Sequence, residues 1–232
     1  MVVSIAAPKA ILDKPDEVAR PAMGGPPFFV GKGKIMIAKI SDIAEVQGGM
    51  ILSRKEARNQ EESRYVYKRL TLRAFDRIGG IEASHLEDFY ACESLDNALF
   101  TSKGDVVVRL LSPMYPVYVE DNYEDILVPS QFAVLRVKDR EVIMPEYLRL
   151  WLAQNSIQDR VLDLESGTAQ KAVKIKTILN LEISIPPLEV QKKAVMIDTL
   201  SRRRECLYRE LIEEERMLTE NLLENIIGGI NR

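Results

Sequence analysis

After Pro186-Pro187, the forty residues from Leu188 to Ile227 contain neither proline nor glycine. A run so free of helix breakers, closed by Gly228-Gly229, predicts one continuous helix of roughly 60 Å at about 1.5 Å per residue. Its apolar stripe reads Ile197, Leu200, Leu207, Leu211, Leu218, Leu222 and Ile226, interrupted by Arg204 and Glu215. The spacing is closer to 3.6 residues than to a strict 3.5. A helix of this length either protrudes and pairs through its stripe or folds back onto its own domain. The seven apolar residues are the candidate dimer contacts.

The preceding chain divides into two stretches. Residues 1–33 carry Pro8, Pro15, Pro21, Pro26 and Pro27 with Gly24, Gly25, Gly31 and Gly33, a composition that resists regular structure and suggests a loose leader or docking arm. Residues 34–187 read as a mixed α and β domain. Ile35 to Ile40 alternates weakly, Ser41 is placed to cap a short turn through Ile43, and Ala44 to Gln47 runs into the Gly48-Gly49 breaker. Strand-like runs follow at Tyr65–Leu72, Val106–Leu111, Val117–Val119 and Phe132–Val137. Pro145 suits the first turn of a helix carrying Tyr147, Leu148, Trp151 and Leu152, and a second helix is expected over Ile157–Leu164. A short apolar segment, Leu179 to Ile185, precedes the prolines, and residues 228–232 form a tail. No internal repeat is present.

The chemistry of an enzyme is hard to assemble from these residues. His85 is the single histidine, and with Cys92 and Cys206 it cannot complete an ordinary zinc set, so no metal or disulfide framework is expected. No Gly-rich phosphate loop follows a strand, and Gly31-Lys32-Gly33-Lys34 is only a basic loop. Ser112-Pro113-Met114-Tyr115 partly resembles the Pro-Pro-aromatic tetrapeptide of amino-methyltransferases, but lacks the second proline and reads better as a turn. No stretch of about 18 apolar residues occurs, so a cytoplasmic protein away from the membrane is expected.

A net charge of −3 advertises no nucleic-acid partner globally, so any such face must be local. Arg54 to Arg77 holds eight basic residues (Arg54, Lys55, Arg58, Arg64, Lys68, Arg69, Arg73, Arg77) against Glu56, Glu61, Glu62 and Asp76, with Tyr65 and Tyr67 interleaved. Cations of this kind contact phosphates, and arginine can read base edges. A solvated strand face with ordinary ion pairs is the plain alternative. A second patch, Ser166-Gly167-Thr168-Ala169-Gln170-Lys171 followed by Lys174 and Lys176, combines hydroxyl, amide and lysine groups suited to phosphate. Glu82 to Asp96 carries five acids and Glu120 to Asp125 four, and these surfaces are expected to face away from DNA.

Several phrases together resemble the specificity subunit of type I restriction-modification systems. They are Lys39-Ile40-Ser41-Asp42-Ile43-Ala44-Glu45-Val46-Gln47-Gly48-Gly49, Lys103-Gly104-Asp105-Val106-Val107-Val108, Pro145-Glu146-Tyr147-Leu148-Arg149-Leu150-Trp151-Leu152, the Ser166 to Lys171 phrase, and Leu181-Glu182-Ile183-Ser184-Ile185-Pro186-Pro187-Leu188-Glu189-Val190-Gln191. Their order covers roughly residues 34 to 227. The resemblance implies an α/β target-recognition domain followed by a long spacer helix that forms a coiled coil or helical dimer. Full-length members hold two such units in tandem and this chain holds one, so the resemblance implies a half-subunit that acts as a homodimer on a bipartite, inverted-repeat site.

It further implies double-stranded DNA as ligand and, as partner, an adenine methyltransferase subunit that binds S-adenosylmethionine, with a restriction subunit joining in some assemblies. The chain itself is then expected to be non-catalytic and to bind no cofactor. On this reading some of Arg54, Arg58, Arg64, Tyr65, Tyr67 and Gln170 read bases, Lys68, Arg69, Lys171, Lys174 and Lys176 touch phosphate, and Gly48, Gly49, Lys55 and Thr168 complete the candidate DNA surface. Two other classes stay open: a protein-interaction scaffold with a helical docking arm and no DNA specificity, and a stand-alone enzyme with an unrecognised site.

Overall fold

The computed structural model describes residues 35–58, 61, 63–75, 79–165 and 172–230. The leader, residues 1–33, lies outside them. In chain order the elements are β1 (Met36–Lys39), α1 (Ile40–Ile43), β2 (Ala44–Gly48), β3 (Tyr65–Arg69), β4 (Glu87–Ala91), β5 (Val106–Arg109), β6 (Val117–Tyr118), β7 (Phe132–Val137), α2 (Pro145–Leu152), α3 (Asn155–Leu164), α4 (Ile175–Leu179), β8 (Glu182–Ile185) and α5 (Leu188–Ile230). All the strand pairings are antiparallel.

A central sheet in the order β2-β7-β5-β6 is covered on both faces, which explains why Val106-Val107-Val108 is unbroken apolar sequence rather than an alternating one. Val106, Val108, Ala133 and Leu135 face the helices, packing with Leu148, Trp151, Leu152 and Ile178. Val107, Phe132 and Val134 face the other way, onto Leu70, Phe75 and Val117. A third cluster, Phe89, Phe100 and Leu127, lies under the β3–β4 pair. Pro145 stands at the start of α2 as its fixed φ favours, with Leu148, Trp151 and Leu152 on the buried side. Ser112 to Tyr115 form the turn between β5 and β6; Met114 is fully buried and the Arg109 guanidinium sits 4.5 Å over the Tyr115 ring.

Ser41 does not cap α1. Its hydroxyl donates to Asp42 Oδ1 at 3.3 Å, while Lys39 takes the N-cap position and its N–H donates to Asp42 Oδ2 at 3.3 Å. The apolar segment before the prolines is two elements, the end of α4 and strand β8, which pairs with β1.

α5 leaves the domain on a polar footing. Gln191 is fully buried: its Oε1 accepts from the Met144 N–H at 2.9 Å, and its Nε2 donates to Val142 O at 2.9 Å and Pro186 O at 2.8 Å. About two turns on, buried Arg149 pairs with Asp198, which also holds Arg202, a further turn along, at 2.9 Å. From Arg203 to Ile227 every residue except the half-buried Cys206 is exposed. The helix therefore protrudes and does not fold back, and the seven stripe residues are between 46% and 66% exposed.

Candidate nucleic-acid interface

β3 and β4 pair along their whole length, placing Tyr67 opposite Phe89, Lys68 opposite Asp88 and Arg69 opposite Glu87. The hairpin is tied to the rest of the domain through Leu127, whose N–H donates to Lys68 O at 2.8 Å and whose carbonyl accepts from Leu70 N–H at 3.0 Å. Alternation along β3 puts Tyr65, Tyr67 and Arg69 on one face. The tyrosine rings stack at 6.2 Å with 6° between planes, and Tyr67 also meets Phe100 at 5.0 Å. Tyr67 is thus half-buried in the local core, whereas Tyr65 is exposed.

The acidic segment expected to face away lies directly beside the basic strand. Lys68 bonds Asp88 at 2.7 Å, Arg69 bonds Glu87 at 2.5 Å, and Lys55 pairs with Glu93. Two candidate phosphate-binding cations, Lys68 and Arg69, and Lys55 of the candidate DNA surface are thus already compensated. In contrast, Arg54, Arg58 and Arg64 are exposed and make no ion pair among the described residues. Backbone pairing gathers the last two: Ala57 N–H donates to Tyr90 O at 2.8 Å and Arg64 N–H to Ala91 O at 3.1 Å, so both segments flank the end of β4. Arg58 and Arg64 thus sit at this corner, beside exposed Tyr65.

Gly48 and Gly49 have packing roles rather than forming an open loop. Gly49 crosses so close to the neighbouring chain that a Cβ would fall 2.1 Å from the Pro129 carbonyl oxygen, and a Cβ on Gly48 would meet Ile175 at 3.0 Å.

Linear reading missed a polar cleft of about 420 Å³ lined by Arg69, Thr71, Arg73, Glu87, Pro129 and Gln131. Arg69 Nε is buried there with no hydrogen-bond partner among the described residues. Gln131 comes from the turn before β7, and no pattern along the sequence links it to β3; Arg73 stood in the basic cluster without being singled out.

Thr168, Gln170 and Lys171 lie outside the described residues, but both flanks of their segment are fixed. Glu165, its side chain 6% exposed, accepts the Thr177 hydroxyl proton and the Lys174 N–H at 3.2 Å, and pairs with the Lys174 ammonium at 3.2 Å. Ala172 bridges to Leu111, and Val173 N–H donates to Leu110 O at 3.2 Å. Lys174 is therefore partly neutralised, while Lys176 is exposed.

The Thr177 hydrogen bond, more than the lysine, holds the Glu165 carboxyl below its ordinary value. A depressed folded pKa gives stability that is present above the unfolded value of about 4.3 and is lost as pH falls through the folded one. Thr177→Val is expected to lower the melting temperature at neutral pH and to converge on the native chain in acid, once the Glu165 carboxyl is protonated. Equal differences at both pH values in a thermal scan would remove Glu165 as the cause.

A model of the type I restriction modification DNA specificity domain matches residues 33–204. No curated protein matches the chain. Among solved structures, an HsdS subunit from Thermoanaerobacter tengcongensis superposes with a TM-score of 0.60 at 19% identity, over 86% of this chain and 50% of that one. A chain from a structure of a type I R-M system, described in connection with complex assembly and conformational transition, gives 0.62 at 19% identity over 88% and 51%. These likenesses are of fold, a mixed domain followed by a long helix, and this chain spans about half the length of either.

Proposed function

Because the chain belongs to the family of type I restriction modification DNA specificity domains, we propose that it is a non-catalytic DNA-reading subunit that dimerises through α5 and recognises a bipartite inverted repeat. It directs an adenine methyltransferase subunit, and a restriction subunit where one is present, to that site. Methyl transfer, S-adenosylmethionine binding and extrusion of the target base belong to the methyltransferase.

The observation that carries this reading is the corner of exposed Arg58, Arg64 and Tyr65, whose arginines, like exposed Arg54, make no ion pair among the described residues, on a domain held at the root of a projecting helix. At the opposite end of the β3–β4 pair, Arg73 and Gln131 in the cleft add two groups able to hydrogen-bond base edges. The compensated cations Lys55, Lys68, Arg69 and Lys174 favour the second reading, a protein-interaction scaffold, because ion pairs already satisfy them.

Selection of duplexes from a randomised pool by the purified chain separates the two. DNA recognition predicts an enriched half-site repeated in inverted orientation, with affinity falling steeply as salt rises. Arg58→Ala and Arg64→Ala are each expected to weaken binding by about 1–3 kcal/mol, roughly five- to a hundredfold. No enriched sequence together with a flat salt dependence would leave the scaffold reading.

A further inference from the structure

We infer that a segment of this chain's own leader, Pro27-Phe28-Phe29-Val30, adds a third strand to the open edge of β1 and lays Phe29 over the apolar pocket beside it. The docking goes beyond the DNA-reading function proposed above and asks nothing of it.

β1 is an edge strand with open hydrogen-bonding groups. Among the described residues β8 is its one strand partner. The Ile40 N–H donates to Leu181 O at 2.9 Å and continues the register of the Met36–Ile185 and Ala38–Ile183 pairs, which sets the phase of the ladder. Met36 and Ala38 therefore bond to β8, and the N–H and C=O of Ile37 point to the open edge. Lys39 has the same phase as Ile37, and its N–H turns away from β8 to Asp42 Oδ2 at 3.3 Å. Met36 is 41% exposed and Ile37 55%. An apolar edge with free donors and acceptors is a template for a further strand.

Met36 and Ala38 also line a pocket of about 260 Å³, completed by Ile43, Val142 and Ile143. A cavity of about 150 Å³ takes up benzene, so this one has room for a phenylalanine ring. Asp42 and Asp139 stand at the same pocket, exposed and without an ion pair among the described residues. The Lys138 ammonium beside them donates to Ser41 O at 2.8 Å. Val142 O accepts from Gln191 Nε2 at 2.9 Å, so the pocket wall is also part of the footing of α5.

The leader enters β1 at this pocket and carries the matching groups. Phe75, Phe89, Phe100 and Phe132 are all buried in the domain, and the remaining two phenylalanines, Phe28 and Phe29, stand just before β1. Gly31-Lys32 between them and β1 suits a two-residue type II′ hairpin loop, which takes glycine first. That loop pairs Val30 with Gly33 and Phe28 with Ile35 through hydrogen bonds, in phase with the open groups of Ile37. Moving the loop on by one residue would aim the leader at Met36, whose backbone is already bonded to β8. In the first register Phe29 lies opposite Lys34 and Pro27 opposite Met36, so both share the face of Met36 and Ala38, and the proline falls where no N–H is needed. Lys32 and Lys34 supply the cations that Asp42 and Asp139 lack. A second copy of the domain, paired edge to edge, would bring the same two acids instead.

The test is residue-resolved amide hydrogen exchange on the full chain, with NOEs between the Phe29 ring and methyl groups as a second readout. The Ile37 N–H of the native chain is expected to exchange at least about tenfold more slowly than in Phe29→Asp, which puts a charge over the pocket. Gly31→Val, which opposes the positive φ of the loop, should release Ile37 to a similar extent. The native Phe29 ring should give NOEs to methyl groups of Ile43 and Val142, and both variants should lose them. Exchange at Val134, in the central sheet, is expected to stay unchanged, which separates loss of docking from loss of fold. Equal exchange at Ile37 in all three proteins, or the absence of those NOEs from the native chain, overturns the docking. Protection of Ile37 that grows with protein concentration would place a second copy at the edge and overturn it as well.

Discussion

Gly49→Ala is expected to destabilise the domain by about 3 kcal/mol, at the top of the range for overpacking, and to lower the melting temperature by about 6–12 °C. The new methyl would sit 2.1 Å from Pro129 O and 2.5 Å from both Pro129 C and Val128 O. Those atoms are backbone and have no rotamer to escape into. They are also held from both sides, since Met50 N–H donates to Val128 O and Ser130 N–H to Met50 O, each at 2.8 Å. Gly104→Ala supplies the comparison. Its Cβ would meet the Arg140 guanidinium at 2.1 Å, but that is the far end of a flexible side chain, leaving mainly the cost of φ +88° for a residue with a Cβ, about 1–2 kcal/mol. A G49A protein melting within about 2 °C of the native chain, or above G104A, would show that the Val128–Pro129 segment yields easily.

Asp105→Ala is expected to cost about 3 kcal/mol, the lower end of the range for breaking a buried ion pair. The Asp105 carboxylate, 5% exposed, accepts from Arg136 Nε at 3.2 Å, from an Arg136 terminal nitrogen at 3.1 Å and from Ser102 N–H at 3.0 Å. Arg136 keeps Phe100 O and Gln47 as partners and is 30% exposed, so water compensates part of its loss. Arg136→Met strands the more deeply buried partner and should cost more. D105L/R136M is expected to cost less than the sum of the single changes, because neither charge is then left alone. Additive values in urea denaturation would mean that the two residues act independently.

The parts of the fold that were legible in sequence are those where one local rule dominates. Pro145 with the apolar residues of α2, the run Phe132–Val137, and the breaker-free stretch of α5 each gave their element directly. β4 was hidden because its face toward Lys68 carries Asp88, so a strand half-exposed through acids reads as a charged loop. The footing of α5 was hidden for the same kind of reason. Gln191, Asp198 and Arg202 dock by hydrogen bonds and ion pairs, which a search for apolar periodicity passes over. In the candidate interface, sequence located the cations but not their neutralisation, which depends on β4 lying alongside β3. It also could not bring Gln131 to Arg73, since their proximity is a property of the tertiary fold.

That α5 docks by one face and carries its stripe on the opposite one gives its length a phase. One residue inserted between Arg202 and Leu207 turns the stripe by about 100° relative to the domain and, in the proposed dimer, would swing the second domain out of alignment. Eleven residues complete about three turns and restore the azimuth. Inserted in each of two antiparallel copies, they would move the domains apart by about 33 Å at about 1.5 Å per residue. One turn of duplex measures about 34–36 Å. On the proposed dimeric reading, the spacing between half-sites would then change in whole-turn steps, helix and duplex being nearly commensurate.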